Sequence, residues 1–305
     1  MSNVFLFPGQ GSQYLGMCKD IYDNYPQAKN IYSQATKILE YDIAEISFNN
    51  SKNNLVLTQY AQPAIFIHSY LLDHLIKQKG IYPSAVSGHS LGEISALVSC
   101  GALLFEDAMN IIKIRAAKMA LAGENNPGAM AAIIGAKSDD ILTICDQEGV
   151  VVPANYNAPN QIVISGSIDS INSAIKTAHN IGIRKTILLK VSGAFHSPLM
   201  SSVRDALRKV INSVNFNDAK IPIYQNMSGK PTTNKNIIKK NLLDQLENPV
   251  RWSHSILNIS RSGINCFIEV GPSKVLTGLN KRILDNPNTK NFEKWDDIKS
   301  LWNII

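Results

Sequence analysis

The chain has 305 residues, of which 45% are hydrophobic and 18% charged, so it can bury a sizeable core and is unlike the charged, apolar-poor chains that stay disordered. Lys and Arg outnumber Asp and Glu by 30 to 24, a formal charge of +6 with a pI near 9.0; this favours an anionic partner, but Lys235, Lys239 and Lys240, the nearest thing to a run, form no aromatic-interleaved basic stripe, which argues against nucleic acid. Cys18, Cys100, Cys145 and Cys266 are scattered without a C-x-x-C pair or zinc spacing, the first residues lack a signal-peptide pattern, and no apolar run of about 18 residues occurs, so a metal-free, cytoplasmic protein with reduced thiols and no membrane contact is expected.

The chain opens with VFLFPGQGSQ, a short apolar run broken by Pro8, Gly9 and Gly11, which predicts a buried strand entering a tight loop whose amides can face a ligand. Residues 60–79 carry Ala64, Ile65, Ile67, Leu71, Leu72, Leu75 and Ile76 near helical spacing and predict a buried helix. Next comes AVSGHSLGEISALVSCGAL, a strand, a Gly-bounded turn and an apolar helix.

From about Pro127 to Val191, GAMAAIIGA, VVPANYN, QIVISGS and RKTILLKV read as strands, with helices over 138–148 and 168–181 between them. The order βαββαβ is that of a ferredoxin-like unit. We therefore expect an α/β protein with a large parallel-sheet domain, 1–126 and 192–305, carrying a small domain inserted at 127–191. LMSSVRDALRKVINSV predicts an amphipathic helix, CFIEVGP a strand with a Gly-Pro turn, and KVLTGLNKRIL a last helix. The Asn-rich pieces 49–54 and 286–291 read as surface loops. The tail from Asn286, with Trp295 and Trp302, carries no motif and reads as a docked helix or a contact surface.

Gly88, His89, Ser90, Leu91 and Gly92 match G-x-S-x-G between a predicted strand and helix, the setting of a nucleophile elbow. A strained turn there projects the serine from the sheet, flanking glycines relieve the crowding, and the helix N-terminus favours negative charge developing on attack. Taken alone, the pattern serves a nucleophile or a helix-capping serine. His196, in the loop GAFHSPLM, serves as the base such a serine needs or as a hydrogen-bonded structural histidine. Gln10, Ser90 and His196 all fall at predicted C-terminal strand ends, where open α/β sheets place their crevice. No acidic residue stands out as the third member of a hydrolase triad.

FPGQGSQ, GHSLGE, GAMAAIIG, GAFHSPLM, QLENPVRW and EVGPSKVLTGLNKRI, in this order over nearly the whole chain, resemble the malonyl-CoA:acyl-carrier-protein transacylases of fatty-acid synthesis. The resemblance implies a hydrolase-like α/β domain with an inserted ferredoxin-like domain. It also implies a ping-pong cycle in which Ser90 attacks the thioester of malonyl-CoA, His196 takes its proton, and the malonyl ester waits for the phosphopantetheine thiol of holo acyl carrier protein. By the same resemblance the amides of Gln10 and Leu91 form the oxyanion hole and the Gln245 carbonyl orients the histidine, without an acid. Arg115, in IIKIRAAKM, pairs with the malonyl carboxylate, to which a guanidinium fork is well matched; without the resemblance it reads as a solvated helix-face arginine. Phe195 limits room for an extra methyl or packs in the core, and Asn155 and Asn157 line the cleft or sit in turns. Ala116 stands where the family often has glycine, with little effect expected. The partners implied are malonyl-CoA and a transient, acidic carrier protein, in keeping with the +6 charge; no metal or nucleotide cofactor is implied. A hydrolase using the same pair, an acyltransferase serving a polyketide carrier and a carrier-docking protein without activity are the alternatives.

Overall fold

In the computed structural model, which describes residues 2–49 and 53–301, two sheets organise the chain. The strands in chain order are β1 (Asn3–Phe7), β2 (Ala85–Gly88), β3 (Gly128–Ile134), β4 (Val151–Ala158), β5 (Gln161–Ser167), β6 (Lys185–Leu188), β7 (Ile223–Tyr224), β8 (Pro231–Thr232), β9 (Cys266–Val270) and β10 (Asn288–Phe292). The large sheet has the order β10-β9-β1-β2-β7-β8 and is parallel except where β8 runs antiparallel to β7. Its centre, β1, is the run VFLF, buried throughout, as strands covered by helices on both faces must be.

The longest helices flanking this sheet are Thr58–Gln78 and Phe105–Asn125. Pro63 lies inside the first, where it cannot donate to the Gln59 carbonyl one turn back. The hydroxyl of Tyr41 donates to that carbonyl instead, at 3.0 Å, so the helix continues without an orphaned acceptor.

The small sheet has the order β4-β5-β3-β6, every neighbouring pair antiparallel. Helices Ser138–Cys145 and Ile168–Asn180 complete the βαββαβ unit, and Ile133, Ile141, Ile144, Ile162, Ile164 and Ile171 give it its own apolar core. Its edge strand β4 is tied to the QLENPVRW segment: the Val250 amide donates to Ala154 and the Val250 carbonyl accepts from Tyr156. The fold is thus a hydrolase-like parallel sheet accompanied by a ferredoxin-like one.

Two expectations are corrected. Residues 286–291 do not form a loop, because 288–292 make β10, paired in parallel with β9. An edge strand needs only backbone partners, so the polar residues NTKNF show no apolar signal, and of them only Phe292 is buried. KVLTGLNKRIL, seen as Val275–Ile283, is not the last helix either: Trp295–Ser300 follows β10 and docks through a hydrogen bond from the Trp295 amide to Asp20 and the buried Ile298. Of the other Asn-rich piece, Asn54 begins a 3-10 turn while residues 50–52 lie outside the described residues, as does Trp302. No helix among the described residues is long and apolar enough to cross a membrane.

Candidate active site

β2 ends at Gly88 and the helix Gly92–Ser99 begins four residues later, with Ser90 between them at φ +53°. That left-handed conformation costs a non-glycine residue roughly 1–2 kcal/mol. Asn226 holds it: its Oδ1 accepts from the Ser90 amide at 2.7 Å and its Nδ2 donates to the Gly88 carbonyl at 2.6 Å. Close packing explains the glycines of the motif, since a Cβ on Gly88 would stand 1.9 Å from the Gly92 carbonyl oxygen and one on Gly92 2.0 Å from that of Phe7. The loop after β1 is equally close, a Cβ on Gly9 falling 2.3 Å from the His89 carbonyl oxygen.

His196, itself at φ +59°, brings Nε2 to 2.8 Å from Ser90 Oγ and Nδ1 to 2.9 Å from the Gln245 carbonyl. A carbonyl only accepts, so Nδ1 carries the proton and Nε2 offers its lone pair to the serine hydroxyl. Burial, and then the charge of Arg115, pull the imidazole down to about 3. It is therefore neutral in the resting site at physiological pH.

Arg115 is only 1% exposed, so the solvated reading of this residue does not hold. Its Nη1 donates to Gln62 Oε1 at 2.6 Å, and Nη2 to Gln245 Oε1 at 3.0 Å and Ser90 Oγ at 3.1 Å. Desolvation lowers the guanidinium to about 10, against the opposing charge of Glu93, and the group stays cationic at neutral pH. Gln245 thus contributes its side chain as well as its carbonyl, since Nε2 also donates to the Ser90 carbonyl at 3.2 Å. Ala116, beside Arg115, is buried in the helix.

These groups face a cavity of about 370 Å³ whose polar lining includes Gln10, Ser90, Arg115, Asn155, Asn157 and His196, with Met119, Met130, Val163, Leu189, Val191, Phe195 and Leu276 as apolar wall. Neither the Gln10 nor the Leu91 amide donates to a described acceptor, which leaves both amides available to an oxygen in the cavity. Asn155 and Asn157 lie in β4, not in turns; Asn157 Oδ1 stands 2.8 Å from Nε2 of His89. Phe195 lines the cavity and also packs in the main core. No cluster of three or more His, Cys, Asp or Glu able to hold a metal ion occurs among the described residues.

Four residues of this site escaped the sequence reading: Gln62, His89, Glu93 and Asn226. Glu93 carried the one available signal, a charge in the first turn of an otherwise apolar helix. Asn226, in the polar stretch after the two-residue β7, carried none.

A parallel sheet with a serine on such an elbow, an imidazole on its hydroxyl and a buried cation beside both is the architecture of a hydrolase-like acyl-transfer enzyme. The acyl transferase domain family matches residues 4–296. The malonyl CoA-acyl carrier protein transacylase of Bacillus subtilis (strain 168) is 41% identical over 288 residues, 93% of this chain and 91% of that one. The crystal structure of MCAT from Streptococcus pneumoniae superposes with a TM-score of 0.93 at 37% identity, covering all of both chains. A malonyl-transacylase solved in complex with its type II PKS acyl-carrier protein superposes with a TM-score of 0.95 at 31% identity, again over all of both chains. The chain belongs to the acyl transferase family and, within it, to the malonyl CoA-acyl carrier protein transacylases.

Proposed function

We propose that this chain moves the malonyl group from malonyl-CoA to the phosphopantetheine thiol of holo acyl carrier protein, supplying extender units for fatty-acid synthesis. The observation that carries the reading is the buried Arg115 with Nη2 3.1 Å from Ser90 Oγ: a fixed cation beside a nucleophile suits an acyl group that ends in a carboxylate.

Ser90 attacks the thioester carbonyl as His196 Nε2 removes its proton, and the amides of Gln10 and Leu91 receive the oxyanion. Collapse breaks the carbon–sulfur bond, the imidazolium protonates the departing CoA sulfur, and a malonyl ester remains on Ser90. The carrier's thiol then gives its proton to His196 and attacks the ester, and the second collapse returns the proton to Ser90. The Gln245 carbonyl keeps the imidazole in its tautomer, as a carboxylate does in a triad, with less support for the imidazolium. Each bond change is met by these groups and the substrates, so no metal or bound cofactor is required.

Asn155 and Phe195 bound the space beyond the ester, with Phe195 limiting acyl bulk. The four free cysteines suit work in the cytoplasm, and we take 1–126 with 192–305 as the catalytic domain and 127–191 as the inserted one. Intact-protein mass spectrometry tests the reading. The malonyl mass should appear on the enzyme after mixing with malonyl-CoA, be absent in Ser90→Ala, and move to added holo carrier. Loss to water at the same rate without carrier would mean a hydrolase.

A further inference from the structure

The helix under the elbow buries a carboxylate that this cycle does not use. Glu93 is fully buried and no described cation is in ion-pair contact with it. Its Oε2 accepts from the Asn226 backbone amide at 2.6 Å and its Oε1 from Gln225 Nε2 at 3.2 Å. Burying a carboxyl on neutral donors alone is costly, and its two oxygens accept from both donors at once, which a glutamine of the same shape could not do. This pair of acceptors therefore calls for a reason in what it holds.

The partner supplies it. The carboxamide of Asn226, whose backbone Glu93 grips, is the group that joins the Gly88 carbonyl to the Ser90 amide, and Gln245 Nε2 also reaches its Oδ1, at 3.4 Å. Glu93 and Ser90 lie three residues apart on the elbow, whereas Asn226 follows β7, the strand paired beside β2. The triangle Glu93, Asn226, Ser90 thus fastens the left-handed backbone of the nucleophile to the neighbouring strand. In its ionised form Glu93 also opposes the charge of Arg115 electrostatically.

Resting on the acyl-transfer reading above, we propose that Glu93 and Asn226 are a pair of positioning residues for acylation, Glu93 fixing Asn226 and Asn226 holding Ser90 in reach of His196. Neither touches the substrate. Their loss acts on the rate at which Ser90 is acylated, through its geometry, and hardly on the binding of malonyl-CoA.

The test uses the full-length chain and two variants, Glu93→Gln and Asn226→Ala, with malonyl-CoA as probe. Rapid-quench mass spectrometry gives the single-turnover rate of malonyl-enzyme formation, and its dependence on malonyl-CoA concentration separates rate from binding. Thermal unfolding is followed in parallel. Glu93→Gln keeps the shape but turns an amide N–H toward one of the two donors, so it should lower the Tm modestly and slow acylation about tenfold or more. Asn226→Ala should slow acylation at least as much, and the double variant should be no slower than about the worse single one, because the two act as one unit. Wild-type acylation in Asn226→Ala would overturn the proposal even if Glu93→Gln failed to fold, and so would a Glu93→Gln that lost Tm yet acylated at the wild-type rate. Failure of the wild-type chain to form any malonyl adduct would overturn the acyl-transfer reading, and this inference with it.

Discussion

Nε2 of His196 stands 2.8 Å from the Oγ of Ser90, although 106 residues separate the two in the chain. Both sit in left-handed backbone, at φ +59° and +53°, a conformation that costs a non-glycine residue energy and persists only where surrounding contacts enforce it. The imidazole is a neutral acceptor there, and Arg115, hydrogen-bonded to the same hydroxyl, depresses its basicity. A carboxylate paired with Arg115 would offset that charge and make His196 a better base just when an acyl group is in place.

Removing the base separates it from the rest of the site. His196→Ala should slow malonyl-enzyme formation by about 100-fold or more, the usual contribution of a general base. Quenched-flow mass spectrometry measures this directly. A wild-type rate would mean that another group activates Ser90.

Removing the cation should change which substrate is used. Arg115→Ala is expected to lower kcat/KM for malonyl-CoA by about 100-fold, as loss of a buried charge-assisted pair does. It should spare or improve an uncharged acyl-CoA, because the charge that depresses His196 goes with the carboxylate contact. Steady-state kinetics with malonyl-CoA and acetyl-CoA side by side decide it, and an unchanged preference would refute the carboxylate assignment.

The motif glycines have a steric role with a thermodynamic readout. In Gly92→Ala the new methyl would meet the backbone carbonyl oxygen of Phe7 at 2.0 Å, at the C-terminal end of the central strand β1. A loss of about 2–3 kcal/mol in chemical denaturation is expected, the range of overpacking in a rigid core. A Gly11→Ala control has open space at its Cβ and differs only by the strain of its φ of +101°.

Stability should vary with pH through two groups of opposite sense. His196 binds its proton near 3 when folded against 6.5 ordinarily, so below 6.5 the unfolded chain binds more protons and stability falls as pH falls, by up to about 1.4 kcal/mol per pH unit. Glu93 is pushed by burial from 4.5 up to about 7, so between these values the folded chain holds the extra proton and stability falls as pH rises. The slopes oppose one another from about 4.5 to 6.5, where the buried His68 and His89, lowered too, add to the histidine side, and below 4.5 the opposing slope of Glu93 ends. Urea denaturation across pH 4 to 8 should show a shallower acid loss in His196→Ala than in wild type; equal slopes would contradict the depressed imidazole.

What the sequence by itself determined is what short-range physics encodes. The run VFLF, the elbow GHSLG and the βαββαβ order from 127 to 191 are legible because burial, backbone crowding and side-chain period act within a few residues. The edge strand β10 and the two-residue β7 are not legible, since one is held by backbone pairing alone and the other is too short to show a period. The resemblance pointed to Gln10, Leu91, Phe195 and Gln245 as well as to Ser90, His196 and Arg115, and all but Gln245 line the same cavity, together with Asn155, Gln245 standing behind it on His196 and Arg115. Only the tertiary structure decided that Gln62 takes one end of the Arg115 fork, that Asn226 clamps the elbow from 136 residues away, and that Glu93 is buried beneath both. Those roles exist only as distances between polar atoms of remote segments, fixed when the sheet closes and excludes water around them; no residue's own chemistry records which distant partner it will meet.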